Sequence, residues 1–422
     1  MTFARDSEAP SIQNGGAFDA IVKARAMARF RLGINYWPRT TAMEMWRRFD
    51  LGAIDDDFAR IAELGFDVVR FFLRWADFQP EPDAAERDAA ANFVSLLDRA
   101  HAHGLQTMPT LFCGHMSGVN WLPAWSLDRT NPSTRFRTIT GDGTVSPYGC
   151  GDFYTGDLLE RQRVLARRLG DRARDHTALL AWDLGNEFSN VRAPQTQQAG
   201  REWSAALTQD LWETSNVAST GGLHGEDVEQ DRHIRPSSIA QPWPFATMHG
   251  YSVYSNVARD RNDPEVVPFL AALIASFARK PVCFTEFGNP TCPHGVREMS
   301  GHACLDEDEM ARYAQAVLER LHQRGALGAF WWCWADYARE LADTPPFDRA
   351  PHELTFGIVR SDGSEKPVAG TLSAFARERR EVCEVPQPTL ADEQRYYAEL
   401  PGSVGGAYDD YLRAHGATRG AA

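Results

Sequence analysis

Short apolar runs alternate with longer amphipathic ones along most of this chain. RLGINY (31–36) reads as a strand, and residues 53–64 read as a helix that Gly65 ends. FDVVRFFL (66–73) is the next strand. A helix follows over 86–103, with Ala90, Phe93, Leu96, Leu97 and Ala100 at helical spacing and Gly104 behind it. LQTMPTLF (105–112) is a third strand. A stretch rich in Gly, Pro and aromatic residues then runs from 113 to 155, and a loop of that length in a compact domain is usually functional.

The alternation resumes with a basic helix over 158–175 and a strand over 178–185 (ALLAWDLG). Helix 197–215, strand 217–223, strand 243–250, helix 264–278 and strand 281–288 come next. Helix 307–324, strand 326–337 and helix 366–380 complete the series. The eight strands show little polar alternation, which suits a parallel sheet covered by helices. Eight such units suit closure, so the expected fold is α/β, a (β/α)8 TIM barrel with long βα loops. An open doubly wound sheet would want a Gly-rich phosphate turn after the first strand, where GINYWP stands instead.

Residues 1–380 are therefore assigned to the barrel. Residues 381–422 change character: Pro386 and Pro388, a weak helix around 391–400, then a Gly/Ala-rich end. This segment is expected to be a tail that packs on the barrel or on a neighbouring subunit, with a frayed terminus.

Composition narrows the function classes. With 422 residues, 43% of them hydrophobic, the chain can bury a large core unaided. A net charge of −13 without a basic tract gives no electrostatic footprint for nucleic acid and suits no anionic membrane. No run approaches the roughly 20 apolar residues of a membrane span. The start, MTFARDSEAPSIQNGG, lacks the basic and then apolar pattern of a signal peptide, so a cytoplasmic location is expected. The seven cysteines (Cys113, Cys150, Cys283, Cys292, Cys304, Cys333 and Cys383) are odd in number, and several lie in apolar runs. They read as reduced packing thiols; Cys292 and Cys304 could bridge within one loop, but packing is preferred for all seven. No zinc-site spacing is present and no cofactor or metal is implied.

In a closed barrel, functional groups stand at the C-terminal ends of strands. The fourth strand runs into Asn186-Glu187, in WDLGNEFSN, and the seventh into Thr285-Glu286, in CFTEFGNP. A carboxylate at the end of an apolar strand costs free energy unless it is paired or used. One such acid could simply pair with an arginine. Two on nearly opposite strands, one preceded by Asn, point to paired acid/base chemistry. Arg70 lies on the second strand, His115 follows the third, His249 and Tyr251 follow the sixth, and Trp334 is chosen over Trp332 at the end of the eighth.

This ordered set resembles clan A of the glycoside hydrolases, specifically family 5, and is nearest to its exo-β-mannosidase-type subfamilies, over roughly residues 30–375. The resemblance implies a retaining glycosidase with Glu187 as acid/base and Glu286 as nucleophile. Arg70 and Tyr251 would keep Glu286 ionised, and Asn186 would bind the sugar 2-OH. His115 and His249 would bind hydroxyls or orient Glu187, and Trp334 would floor the −1 subsite. Each has a plainer alternative: a loop histidine for His115, a core histidine for His249, packing for Tyr251 and Trp334, and a structural ion pair with Asp67 or Asp183 for Arg70.

Other loop residues could support the substrate: Tyr36, Trp37 and Arg39; Trp75 and Asp77; Asn120, Trp121 and Trp125; His224, Glu226 and Asp227; and Asp336. Glu226 and Asp227 could each accept two hydroxyls of a terminal sugar or be solvated loop acids. Asn289, Pro290, Cys292 and Pro293 would shape the loop after Glu286. The expected function is exo-acting release of terminal β-linked sugars, β-mannosides above others, from small oligosaccharides or glycosides. An endo-β-mannanase or endo-β-glucanase with an open groove is the enzyme alternative, and a non-catalytic sugar-binding barrel the alternative of another class. The expected partner is a small carbohydrate, with room for a homo-oligomer.

Overall fold

The computed structural model describes residues 29–83, 87–133, 135–293, 295–386 and 389–417. Eight parallel strands form its centre: β1 (Arg31–Tyr36), β2 (Val68–Arg74), β3 (Gln106–Cys113), β4 (Trp182–Asn186), β5 (Ser219–Gly222), β6 (Ala246–His249), β7 (Val282–Phe287) and β8 (Gly328–Trp331). Their order, β5-β4-β3-β2-β1-β8-β7-β6, joins each strand to its neighbour in the chain and β1 to β8. The ring closes between β5 and β6 through a bridge of His224 with His249, whose N–H donates to the Leu223 carbonyl at 2.8 Å. This is the expected (β/α)8 barrel.

Seven helices flank the strands: α1 (Leu51–Glu63), α2 (Arg87–Ala102), α3 (Gly156–Arg172), α4 (Gln197–Ser215), α5 (Val266–Ala278), α6 (Glu307–Gln323) and α7 (Pro367–Arg377). Their starts are chemically marked. The Asp50 carboxylate accepts from Ala53 N–H, Thr196 Oγ1 from Ala199 N–H, and Asp306 with Glu309 forms a reciprocal capping box. Between β5 and β6 only two short turns of helix, Glu226–Glu229 and Pro236–Ile239, replace the usual long one.

The barrel interior is layered. Val68, Met108, Ala181, Phe245, Cys283, Leu327 and Phe330 form an apolar plug from residues at or near the starts of the strands. Gly33 admits the Phe330 ring there, since a Cβ on it would lie 2.2 Å from that ring. The polar groups sit towards the other end, where the loops meet.

Three regions differ from the sequence reading. The apolar run 326–337 leaves the sheet after Trp331, because Trp334 N–H turns to the Asn35 carbonyl and Asp336 N–H to that of Val359. The long stretch after β3 is a small sheet of its own, ordered His115–Met116, Val119–Leu122, Arg137–Thr140, Val145–Ser146. The C-terminal segment holds α8 (Glu393–Ala398) and a second helix, α9 (Gly402–Ala414), beyond the one weak helix expected. Val404, Ala407, Tyr408, Tyr411 and Leu412 recur at helical spacing and are buried, and Tyr408 donates to Asp263 at 2.7 Å. Residues 387–388 and 418–422 of that segment lie outside the described residues.

The cysteine reading needs one correction. Cys292 and Cys304 are joined as a disulfide, with Cα atoms 5.4 Å apart, because the loop after β7 turns back on itself through the Glu298–Met299 and His302–Ala303 hairpin. Cys113, Cys150, Cys283 and Cys333 are buried free thiols, as expected. Among the described residues, no helix is long and apolar enough to cross a membrane.

Candidate active site

Glu286 lies near the C-terminal end of β7 and Glu187 directly follows β4. Both line one cavity of about 610 Å³ at the mouth of the barrel. Donor atoms of Glu187, His249 and Glu286 all lie within 4.8 Å of one another, so the two carboxyl groups share one small space. Among the described residues this trio is the one group placed to hold a metal ion. Glu286, however, already faces a fixed cation.

That cation is Arg70, fully buried on β2. Its Nη1 donates to Glu286 Oε1 at 2.5 Å and to Asn35 Oδ1 at 2.9 Å. Nε and Nη2 both donate to Asp183 Oδ2, at 2.9 and 2.6 Å, and Nη2 reaches Asn186 Oδ1 at 2.9 Å. Asp183 also accepts from Thr110 Oγ1 at 2.8 Å. Burial opposes the charge on Arg70, but its two carboxylates outweigh this and hold its pKa above the ordinary value. The structural pairing with Asp183 and the contact with Glu286 thus coexist in one side chain.

Glu286 accepts on both oxygens, since Tyr251 donates its hydroxyl to Oε2 at 2.8 Å. Burial pushes this carboxyl above the usual range, while Arg70 and Tyr251 oppose the shift. With a donor already aimed at each oxygen, an added proton would have to displace one of them.

Glu187 has a backbone φ of 47°, in the left-handed region that a non-glycine residue enters at a cost of about 1 kcal/mol or more. Two bonds hold it there: its N–H donates to the Gly222 carbonyl at 3.1 Å, and its carbonyl accepts from Asn190 N–H at 2.8 Å. The approach demands glycine at 222, because a Cβ would fall 2.1 Å from the Gly185 oxygen. The Glu187 side chain is half-buried and accepts from Asn190 Nδ2 at 3.1 Å. Asn186 is anchored at both ends of its amide, by Arg70 and by the His115 carbonyl, which it meets at 2.9 Å.

Two histidines stand beside these acids. His249 Nδ1 is 3.4 Å from Glu187 Oε1 and 3.6 Å from Glu286 Oε2, yet neither ring nitrogen makes a hydrogen bond among the described residues. Burial lowers its pKa to about 4, so the ring is neutral near pH 7. His115 bonds through Nδ1 to Asn120 Oδ1 at 2.8 Å, with Nε2 3.8 Å from Glu187, and burial likewise lowers it to about 4. His224 is the opposite case. Burial works against its charge, but Asp227, 3.0 Å from Nδ1, with Glu187 and Glu226, raises its pKa well above the ordinary value.

The cavity wall includes residues that the sequence reading missed. The loop after β3 ties across to three others. Arg135 pairs with Glu226 and faces Asn190, Arg137 forms a bidentate pair with Asp348 at 2.6 Å, and Ser117 donates to Glu353 at 2.9 Å. Phe136, Glu229, Tyr254, His302, His352 and Glu353 also line the cavity. All lie in loops or short turns without a readable period; their one signal was the length of the loops that carry them.

Of the predicted residues, Asn186, Glu187, Glu286, His115, His224, Glu226, His249, Tyr251 and Trp332 line the cavity. Asp227 is buried behind His224. The preference for Trp334 over Trp332 is corrected. Trp332 lines the cavity and packs edge-on against Phe72, whereas Trp334 lies behind it under the Arg60 guanidinium, 5.6 Å from its ring centre. The turn that follows β8 reverses which of the two faces the mouth.

Three further candidates are not part of the wall. Tyr36 donates to Asp57 at 2.9 Å, Trp37 stacks on Phe72, and Trp121 lies beside Arg74. All three are buried among these partners. Asp77 pairs with Arg74 at 2.6 Å and Asp336 with Lys366 at 2.7 Å, so both are structural. Trp75 and Trp125 pack edge-on against each other, and Asn120 holds His115.

No protein-family model matches the chain, and no curated protein sequence matches it. Solved structures do. The exo-β-1,4-mannosidase Op5Man5 of Opitutaceae bacterium strain TAV5 matches at 27% identity and a TM-score of 0.68, over 88% of this chain and 61% of that one. The present chain therefore spans less than two thirds of that protein. A GH5_18 protein of Streptomyces cattleya, in complex with Manb1-4GlcNAc, matches at 22% identity and TM-score 0.74, over 92% of each chain. A GH5_18 protein of Bifidobacterium longum subsp. longum ATCC 55813 matches at 21% identity and TM-score 0.73, over 93% of this chain and 91% of that one. The last two likenesses concern the fold. In fold and in these matches, the chain is similar to glycoside hydrolases of family 5.

Proposed function

We propose that this protein is a retaining, exo-acting β-glycosidase that releases terminal β-mannose from small oligosaccharides or glycosides. The observation that carries the reading is the approach of the Glu187 and Glu286 carboxyl oxygens to within 4.8 Å inside the cavity. Retaining glycosidases hold their two carboxyls about 5–5.5 Å apart, whereas inverting ones leave about 6.5–9.5 Å for a water.

In the first step Glu286 attacks the anomeric carbon as the bond to the leaving oxygen breaks, and Glu187 gives that oxygen its proton. In the second, Glu187 takes a proton from water, which attacks the same carbon and frees Glu286. Two inversions give net retention. Arg70 and Tyr251 hold the nucleophile as an acceptor of two hydrogen bonds. Asn186, fixed at both ends, presents its amide where the 2-OH would lie. Trp332 offers an aromatic face to the sugar ring.

Exo action is favoured by the arching β3 loop, whose ties to Glu226, Asp348 and Glu353 close the cavity into a pocket. Mannose specificity is favoured by the likeness to the Opitutaceae exo-β-1,4-mannosidase and to the Streptomyces GH5_18 protein in complex with Manb1-4GlcNAc. The test is a panel of aryl β-glycosides, with the anomer of the first-formed product followed by NMR. The β-mannoside should turn over fastest and give β-mannose first. An α-product, or equal turnover by a Glu286→Gln variant, would contradict the double displacement. A different winning sugar would replace only the mannose assignment.

A further inference from the structure

Glu353 follows β8 and is a buried acid of the cavity wall that the two-carboxylate mechanism leaves unused. Ser117 Oγ donates to its Oε2 at 2.9 Å and the Tyr254 hydroxyl to its Oε1 at 3.2 Å. Among the described residues no arginine or lysine pairs with it; its one basic neighbour, His352 Nε2 at 3.6 Å, belongs to a ring whose pKa burial lowers to about 4. Burial, with help from Glu286 and Glu187, pushes the Glu353 carboxyl up to about 7.

A carboxylate offers about four lone-pair sites, and two are used here. Leaving the others empty in a buried place costs free energy, so an unpaired acid of this kind calls for an explanation. Loop closure alone does not supply one. The Ser117 contact ties the β3 and β8 loops, but the Arg137–Asp348 pair already does so, and a neutral amide would serve the same purpose without a buried charge. The group is also fixed from three directions: Ser117 follows β3, Tyr254 follows β6, and Glu353 itself follows β8. Its two oxygens are held still, with open acceptor capacity beside the cavity, which is how a protein prepares a bidentate acceptor for neighbouring hydroxyls.

We propose that Glu353 is a specificity-determining residue that accepts hydrogen bonds from two adjacent hydroxyls of the terminal sugar. This rests on the glycosidase reading above. Ser117 and Tyr254 position it, and their loops make the end wall that stops a longer chain from continuing past the terminal sugar.

The experiment compares kcat/KM for an aryl β-mannoside and its mono-deoxy analogues in the wild type, Glu353→Gln, Glu353→Ala and Arg137→Ala. In the wild type, at least one analogue lacking a non-anomeric hydroxyl other than the 2-OH should fall by about 100-fold, the scale of a lost charge-assisted hydrogen bond in a closed site. In Glu353→Ala that discrimination should shrink to within about 5-fold, because the parent substrate loses the contact the analogue never made. Glu353→Gln keeps the shape and an acceptor oxygen, so it folds as the wild type does and should show an intermediate value. Arg137→Ala breaks the other loop tie and should keep the full discrimination. An active wild type whose selectivity survives in both Glu353 variants overturns this inference alone. Equal loss in Arg137→Ala assigns Glu353 to loop closure and overturns it too. A wild type that hydrolyses none of the glycosides overturns the glycosidase reading and this inference together.

Discussion

The floor and the rim of the cavity solve the problem of buried charge in opposite ways. On the floor, Arg70 stands between Asp183 and Glu286 with every polar arm engaged, all of it inside a ring of parallel strands. At the rim, the charges come from the segments after the strands and meet in pairs across gaps: Arg135 with Glu226 and Arg137 with Asp348. A floor charge has no water to fall back on, so removing its partner is expensive. A rim charge is partly solvated, and its pair contributes roughly 1 kcal/mol or less. Preorganisation therefore resides in the floor, and shape in the rim.

The sharpest way to break this contrast is Arg70→Met. Two buried carboxylates then lose their shared cation, and the variant should be destabilised by about 4 kcal/mol, read as a fall in the denaturant midpoint, with turnover lost. A loss under about 1 kcal/mol would show that floor and rim do not differ.

Gly222→Ala comes next, because its Cβ would collide with the Gly185 carbonyl beside Glu187. A loss of about 2 kcal/mol is expected, with kcat falling more than KM rises as Glu187 is displaced. An unchanged kcat would mean that the β4–β5 approach does not set the position of Glu187.

Tyr251→Phe tests the floor by pH. In the proposed mechanism Glu286 acts as an anion, and burial already raises its pKa; Tyr251 counters that shift. Without the hydroxyl the pKa rises further, so the acid limb of kcat/KM should move to higher pH and activity should be lost earlier as pH falls. A limb that stays put or moves down would remove Tyr251 from the control of Glu286.

The smallest effect belongs to the rim. Arg137→Ala should lower stability by about 0.5 kcal/mol and relax the preference for short over long substrates. A drop the size of that of Arg70→Met would erase the distinction.

The sequence exposed the floor much better than the rim. Arg70, Asn186, Glu187, His249 and Glu286 interrupt or end apolar strands, where a polar residue stands out against its neighbours. Trp334 was preferred to Trp332 although both sit in one aromatic run, and only the chain's departure from the sheet after Trp331 decides between them. Glu353, Tyr254 and Arg135 carry no such contrast, being polar or aromatic residues in loops. The C-terminal helix Gly402–Ala414 was hidden for a different reason: its glycines lower helix propensity, and only the docking of Tyr408, Tyr411 and Leu412 against the barrel overrides that.

By itself the sequence determined the eight strands, the helices between most of them, the closed sheet and the polar residues at the strand ends, because periodicity and burial act locally along the chain. The tertiary structure decided which aromatic faces the cavity, how Arg70 divides its hydrogen bonds between two acids, and which loops meet to make a pocket. Those outcomes depend on contacts between residues far apart in the chain, 236 positions in the case of Ser117 and Glu353. No local pattern encodes such a separation; it exists once the ring has closed.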